Sequence, residues 1–322
     1  MRQNMDVTQT EYDAVNLHLP ERELMHSGHF ACPGCGAALA MRLALKALGE
    51  RTIMMVAAGC WGTLNGPYPF ASLKVPVLEV AFAAAAGSAA GARAGLDVLG
   101  KHDVNVVAWA GDGSTFDIGI AALSGVVERN DDIIYICYDN EAYMNTGIQR
   151  SSATPYAAWT TTTPADAPKL EPKKDMVGIM AEHRIPYAAT ASIAFPEDFV
   201  RKLRRAKAVR GAKFIHLWTS CPTGHKAEER YSIKIARLAV ESGVFPLYEV
   251  EHGVGYTINH EPAFADVMEY LKLQGRFRHL DAAQIDVIRR NIEWEWRRLR
   301  AKVTMGRELL RPDQPNGGSL GI

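Results

Sequence analysis

The chain has 322 residues, 48% of them hydrophobic, enough for one large domain or two ordinary ones with a sizeable core. Lys plus Arg and Asp plus Glu balance at 36 each, which removes the electrostatic reason to expect nucleic acid or an anionic membrane as partner. The start, MRQNMDVTQTEYDAVNLHLP, lacks the apolar run of a secretory leader, and the most apolar stretch is interrupted by Glu79 and Arg93, so the expectation is a cytoplasmic chain with no membrane span.

In chain order, residues 1–28 read as a weakly determined lead-in. The stretch HFACPGCG at 29–36 carries a C-x-x-C spacing that zinc sites, redox dithiols and iron–sulfur clusters all use. AALAMRLALKALG (37–49) has helical spacing and ends at Gly49. TIMMVAAGC is a buried strand running into Cys60. Residues 61–79, with three prolines, read as loop, and 80–100 as a helix of small residues. VNVVAWA (104–110), the turn GDG (111–113), the amphipathic DIGIAALSGVVERN (117–130) and the strand IIYICYD (133–139) form a βαβ unit. Continuous apolar strands of this kind belong to a parallel sheet covered on both faces. Residues 151–175 read as an active-site loop, ordered or mobile. A strand in AEHRIPYAATASI, a helix in PEDFVRKLRRAKAV and a strand in KFIHLWTSC follow. The expected architecture is an α/β domain over 29–229, a twisted parallel sheet between helices, and a mostly helical extension over 230–322. That extension holds the solvated helix RRNIEWEWRRLRAKV, with Trp294 and Trp296, and the loose tail PNGGSLGI.

Four of these strands lead at their carboxyl ends to Cys60, Asp112, Asn140 and Cys221. Ligands of open parallel sheets bind outside the carboxyl ends of the strands, so one rim gathers two thiols, a carboxylate and an amide. The five cysteines are odd in number and scattered, which argues against a disulfide framework. Cys137 lies inside a strand and reads as core. GDG alone is a common turn with a capping Asp. Its distance from Asn140, 26 intervening residues, puts a carboxylate and a carboxamide on neighbouring strand ends. That pair suits Mg²⁺, which prefers oxygen ligands and shares its shell with phosphates. Gly111 and Gly113 let backbone approach a diphosphate, and the helix that follows offers free N–H groups.

The pattern resembles the GDG…N signature of thiamine diphosphate enzymes. More narrowly, GDGSTFDIG with YDNEAYMNTGIQRSSATP, together with CPGCG and the late cysteine, is similar to the β subunit of pyruvate:ferredoxin oxidoreductase, over a span from residue 29 to about 280. The resemblance implies thiamine diphosphate as cofactor, with Mg²⁺ held by Asp112, Asn140 and the carbonyl of Ala142. It puts Asn145 and Thr146 against the cofactor and the reacting centre, Asn145 being the candidate catalytic residue. It assigns Cys32, Cys35, Cys60 and Cys221 to one [4Fe–4S] cluster, for which four thiolates around structural zinc is the rival. The implied reaction is oxidative decarboxylation of a 2-oxo acid, most simply pyruvate, with coenzyme A and ferredoxin. Oxalate or another 2-oxo acid, without coenzyme A, is the alternative, because GCWGTLNGPYPFASLKVP (59–76) departs from the pyruvate pattern. The implied partners are an α subunit that supplies the activating Glu and substrate contacts, and ferredoxin-like γ and δ subunits. Glu79 accordingly reads as a buried or interface side chain paired with Arg or Lys. His183 and His216 read as structural. His225, just after Cys221 in CPTGHK, reads as structural, as a lone His usually is, with lining of the cluster or an interface as the alternative; Lys226 reads as part of a solvated face.

Overall fold

The computed structural model describes residues 19–310; the tail PNGGSLGI and residues 1–18 of the lead-in lie outside the described residues. Strand residues alternate between two apolar layers, as a pleated sheet covered on both sides requires. Met54, Val56, Val107, Trp109, Ile134 and Ile136 face one layer; Met55, Ala57, Val106, Ala108, Tyr135 and Cys137 face the other. Each of the Met, Val and Ile side chains taken fully out of water contributes about 1.5–3 kcal/mol.

The strands are β1 (Thr52–Ala57), β2 (Val77–Val80), β3 (Asn105–Gly111), β4 (Ile134–Asp139), β5 (Tyr187–Ser192), β6 (Lys213–Trp218), β7 (Leu247–Glu251) and β8 (Gly255–His260). They form one sheet in the order β2-β1-β3-β4-β6-β5-β7-β8. The first six are mutually parallel, and β7 and β8 add on antiparallel. The order runs outward from β1 in one direction and from β3 in the other, so the switch point lies between them.

The helices are α1 (Gly36–Leu48), α2 (Cys60–Leu64), α3 (Ala85–Val98), α4 (Ile120–Glu128), α5 (Met176–Glu182), α6 (Pro196–Ala208), α7 (Pro222–His225), α8 (Ser232–Glu241), α9 (Val267–Leu271) and α10 (Ala282–Leu309). Met41 and Leu45 of α1, Leu203 of α6 and Ile235 of α8 enter the first layer. Ala89 of α3, Leu123 of α4, Met176 of α5 and Trp296 of α10 enter the second.

Several boundaries differ from the sequence reading. The stretch 61–79 holds α2 and the edge strand β2 rather than loop alone. Within 19–28, Leu24 and Met25 are buried, and Met25 bridges Leu73, so this part of the lead-in packs onto that stretch. The helix after GDG opens as a π-helix, Gly113–Ile118, before α4. The carboxyl-terminal region carries β7 and β8 besides its helices. Glu249 hid β7, because a carboxylate breaks the apolar alternation; it is tolerated by a 2.7 Å hydrogen bond from Tyr187 and by Arg201 at 3.2 Å. Nor is α10 wholly solvated: a capping box of Asp281 and Gln284 opens it, and buried Trp296 donates its Nε1 to the Gly243 carbonyl at 2.8 Å.

Candidate cofactor site

Backbone hydrogen bonds gather the loops at the carboxyl rim. The Cys35 amide donates to the Cys32 carbonyl at 3.1 Å, closing the C-x-x-C turn that opens α1. The Gly36 amide donates to the Ser220 carbonyl at 3.0 Å, joining that turn to Cys221. The Phe30 amide donates to Leu64 at 3.3 Å, joining it to α2, whose first residue is Cys60. After β4 and β6, the Thr219 amide reaches the Asp139 carbonyl at 2.8 Å.

The four thiols lie near enough to act on one another. Burial, then the charges of Cys221, Cys35, Cys32 and Asp112, push the Cys60 thiol up to about 12. Burial and the charges of Cys35 and Cys32 push Cys221 up to about 11, against the Gly224 amide, which points at its sulfur from 3.4 Å. Cys35 is raised by burial and Cys32, against amides of Ala38 and Ala37. Among the described residues, no three His, Cys, Asp or Glu side chains are gathered tightly enough to hold a single metal ion. Cys137, on β4, is fully buried in the core.

Beside the thiols, Asp112, Asn140 and Ala142 converge. The side-chain amide of Asn140 presents its oxygen 3.0 Å from Asp112 Oδ1 and 3.1 Å from the Ala142 carbonyl oxygen. Turning the amide over would satisfy both with N–H donors. As placed, the Asn140 oxygen faces two other oxygens, at separations close to the about 3 Å between neighbouring ligands that stand about 2.0–2.1 Å from an octahedral cation, so the residues present fit part of a Mg²⁺ shell. Burial and the neighbouring Asp139 charge hold the Asp112 carboxyl well above its ordinary value, partly offset by the Ser151 hydroxyl, which donates to Oδ2 at 2.5 Å. A bound cation would remove that penalty.

The loop that carries Asn140 and Ala142 has Glu141 between them in a left-handed conformation, φ 68°. Glu141 is held there by Lys173 Nζ at 3.0 Å and Arg276 Nη2 at 2.5 Å, while Thr154 donates to its carbonyl at 2.7 Å. Burial opposes its ionisation, but Lys173 and Arg276 keep the carboxyl well below the ordinary range. Lys173 also pairs with Asp139, whose Oδ2 lies 2.6 Å from His216 Nε2. The 151–175 loop is ordered by buried Lys169, which donates to the carbonyls of Thr154, Glu171 and Pro172 at 2.8, 2.7 and 3.0 Å.

Cys60 shares one cleft with Gly111, Gly113, Asn140, Ala142, Asn145 and Thr146. At Gly113 a side chain is excluded, since a Cβ would stand 2.5 Å from the Tyr143 ring. Asn145 and Thr146 are exposed at the mouth, and Gln149 braces Thr146 through bonds of 2.5 and 2.8 Å. No Asp or Glu lines this cleft among the described residues. A larger cavity of about 290 Å³ lies under α10; Glu141 lines it, but neither the thiols nor Asp112, Asn140 and Ala142 do.

Glu79 is neither buried nor paired with a cation: it is exposed on β2 and accepts from Asn65 Nδ2 at 3.4 Å. His183 caps α5, with Nε2 3.2 Å from Ser124 Oγ. Exposed Lys226 lies 3.0 Å over the Trp159 ring. Sequence reasoning passed over Ser151, Glu141, Lys173 and Arg276. The available signal was the acidic pair flanking Asn140 in DNE, which at a buried strand end demands cationic partners.

A parallel sheet whose switch-point rim presents Asp112, Asn140 and their glycine turn defines a thiamine-diphosphate-binding domain. The family described as "Thiamine pyrophosphate enzyme, C-terminal TPP binding domain" matches residues 58–217. The chain is 48% identical over 297 residues to ketoisovalerate oxidoreductase subunit VorB of Pyrococcus horikoshii, covering 88% of this chain and 94% of that one. It is 49% identical over 290 residues to pyruvate synthase subunit PorB of Methanocaldococcus jannaschii, covering 87% and 97%. The PorB of Methanothermobacter thermautotrophicus is 49% identical over 272 residues, covering 83% and 94%. The solved 2-oxoglutarate:ferredoxin oxidoreductase of Magnetococcus marinus shares the fold at 19% identity, with a TM-score of 0.52 over 73% of this chain and 82% of that one. This chain belongs to the 2-oxoacid:ferredoxin oxidoreductase β subunits. It is the thiamine-diphosphate-binding subunit of a multisubunit enzyme. Among the described residues, no helix is long and apolar enough to cross a membrane.

Proposed function

We propose that this subunit binds thiamine diphosphate through Mg²⁺ and carries one [4Fe–4S] cluster, in a complex that converts pyruvate, coenzyme A and oxidised ferredoxin to acetyl-CoA, CO₂ and reduced ferredoxin. The observation that carries the proposal is the approach of the Asn140 side-chain oxygen to Asp112 Oδ1 and to the Ala142 carbonyl, Asn140 and Ala142 lining the cleft that also holds Cys60. Asp112, Asn140 and the Ala142 carbonyl would hold Mg²⁺; Gly111 and Gly113 keep the floor open for the diphosphate. Cys32, Cys35, Cys60 and Cys221 would hold the cluster. Backbone amides already aimed at Cys35 and Cys221 support thiolates at these positions, as ligation of an inorganic core requires.

When bound, thiamine diphosphate supplies an electron sink for decarboxylation and the cluster a one-electron acceptor. The residues of this chain orient and shield. Asn145 and Thr146 stand at the mouth, where the 2-oxo acid enters. Lys173 and Arg276 fix the loop behind them. The carboxylate-free cleft supports an activating Glu supplied by an α subunit, and γ and δ subunits would carry electrons on to ferredoxin. The likeness to VorB supports a second reading, in which the substrate is ketoisovalerate. Assay of the native complex with pyruvate, ketoisovalerate, oxalate and 2-oxoglutarate, with and without coenzyme A and with a low-potential acceptor, tests both. The highest kcat/KM is expected with pyruvate and coenzyme A. A clear preference for ketoisovalerate, or coenzyme-A-independent turnover of oxalate, would replace that substrate.

A further inference from the structure

The Cys221–His225 turn after β6 and the Asn140–Thr146 loop after β4 are separate pieces of backbone, and two contacts lock them together. The first is made by His225, which is fully buried. Its Nδ1 accepts from the Cys221 amide at 3.4 Å, and its Nε2 lies 3.1 Å from the Asn140 carbonyl oxygen. An amide can only donate and a carbonyl can only accept, so the ring is the neutral Nε2–H tautomer, donating to Asn140. The Trp218 ring, with its centroid 5.6 Å away, flanks the imidazole. The second contact is steric. Met144 packs against Gly224, where a Cβ would stand 2.1 Å from the methionine sulfur. The Gly224 amide in turn points at Cys221 Sγ.

We propose that His225 is a positioning residue that holds the Asn140 loop in register with the Cys221 turn, so that the candidate metal oxygens and the candidate cluster thiol are set by one imidazole. The inference rests on the cofactor assignment made under Proposed function. It goes beyond that assignment by giving the two halves of the ring separate duties. Nδ1 fixes the Cys221 backbone, and Nε2–H fixes the backbone of the residue whose side chain faces Asp112.

The two duties separate by substitution. In His225→Asn the amide oxygen takes the place of Nδ1 and the bond to Asn140 is lost. In His225→Gln the amide nitrogen takes the place of Nε2 and that bond is kept. The native complex and the complexes carrying each variant are titrated with thiamine diphosphate in the presence of Mg²⁺. Iron content and the midpoint potential of the cluster, followed by electron paramagnetic resonance, are measured on the same samples. Wild type without iron or without saturable thiamine diphosphate binding would overturn the cofactor assignment itself. With wild type loaded, His225→Asn is expected to weaken thiamine diphosphate binding about tenfold at unchanged iron content, the effect of one lost buried hydrogen bond. His225→Gln is expected to bind within about twofold of wild type, and Gly224→Ala, which displaces Met144, to weaken binding as Asn does. The proposal fails if Asn binds as wild type does, or if Gln is as weak as Asn, which would make the imidazole only a core filler. The Asn and Gln variants keep polar groups of nearly the same size, so the comparison stands even if His225→Ala does not fold.

Discussion

Arg276 Nη2 donates to Glu141 Oε2 at 2.5 Å across 135 residues of sequence, with both side chains almost wholly buried. This pair ties the carboxyl-terminal region to the loop on which Asn140 and Ala142 stand. It also keeps Glu141 in the left-handed conformation that points its neighbours toward Asp112. Removing one partner of a buried pair costs about 3–5 kcal/mol when it leaves the other charge uncompensated, but Lys173 still faces Glu141 at 3.0 Å. Arg276→Met should therefore lower stability by less than that amount in urea unfolding, and weaken thiamine diphosphate binding. Arg276→Met combined with Glu141→Gln should recover much of the stability, because no orphan charge remains.

Among the described residues, Ser151 is the one hydroxyl that donates to the Asp112 carboxylate. Ser151→Ala should leave that oxygen without its donor and free the carboxylate to rotate. The expected loss is about 1–2 kcal/mol in thiamine diphosphate–Mg²⁺ affinity, read by calorimetric titration. Iron content should not change, because the hydrogen bonds of Ser151 among the described residues go to Asp112, Ala153 and Thr154 and not to the thiol-bearing loops.

Gly113→Ala places a methyl group where the Tyr143 ring lies. The ring and the loop from Asn140 must shift, so thiamine diphosphate binding should fall by at least an order of magnitude in the same titration. Gly113→Ala with Tyr143→Ala should recover part of the binding, since the obstacle is the ring.

Asp175 caps α5, accepting from the Gly178 amide at 2.8 Å, and pairs with Arg298 of α10 at 2.8 Å. Burial alone would raise its pKa, but the Gly178 amide, Lys302 and Arg298 outweigh it and hold the carboxyl below its ordinary value. Between the folded value and the unfolded value near 4, the unfolded chain binds more protons. The stabilisation is thus complete above about pH 4 and is lost as pH falls through the lowered folded value. Asp175→Asn should cost about 1–2 kcal/mol at pH 7 and flatten the acid limb of stability against pH, as chemical unfolding at several pH values would show.

The βαβ unit from β3 to β4 and the strand ends at Cys60, Asp112, Asn140 and Cys221 were legible in the sequence because continuous apolar runs stop abruptly at polar residues. β7 was not, because Glu249 interrupts its pattern and is tolerated only through Tyr187 and Arg201, distant in sequence. β2 is four residues long and sits at a sheet edge, so its pattern is too short to stand out from the prolines before it. The placement of Asp112 and Asn140 at neighbouring strand ends was readable from GDG and Asn140. The charges that brace them, Lys173 and Arg276, were not, since a surface Lys and a buried one look alike until the fold brings them to Glu141. For His225 the sequence offers a structural role or a place lining the cluster or an interface; its two bonds depend on a turn closing onto a loop that begins 85 residues earlier.

The most direct test of the central claim, that thiols and oxygens at one rim hold an inorganic electron acceptor beside an organic cofactor, is elemental and cofactor analysis of the native complex purified without oxygen, with Asp112→Ala and Cys221→Ser complexes alongside. The account predicts iron and acid-labile sulfide in equal amounts together with thiamine diphosphate and Mg²⁺ in the wild type. Asp112→Ala should lose the thiamine diphosphate and keep the iron, and Cys221→Ser should lose iron. Stoichiometric zinc in place of iron, or thiamine diphosphate retained in full by Asp112→Ala, would contradict it.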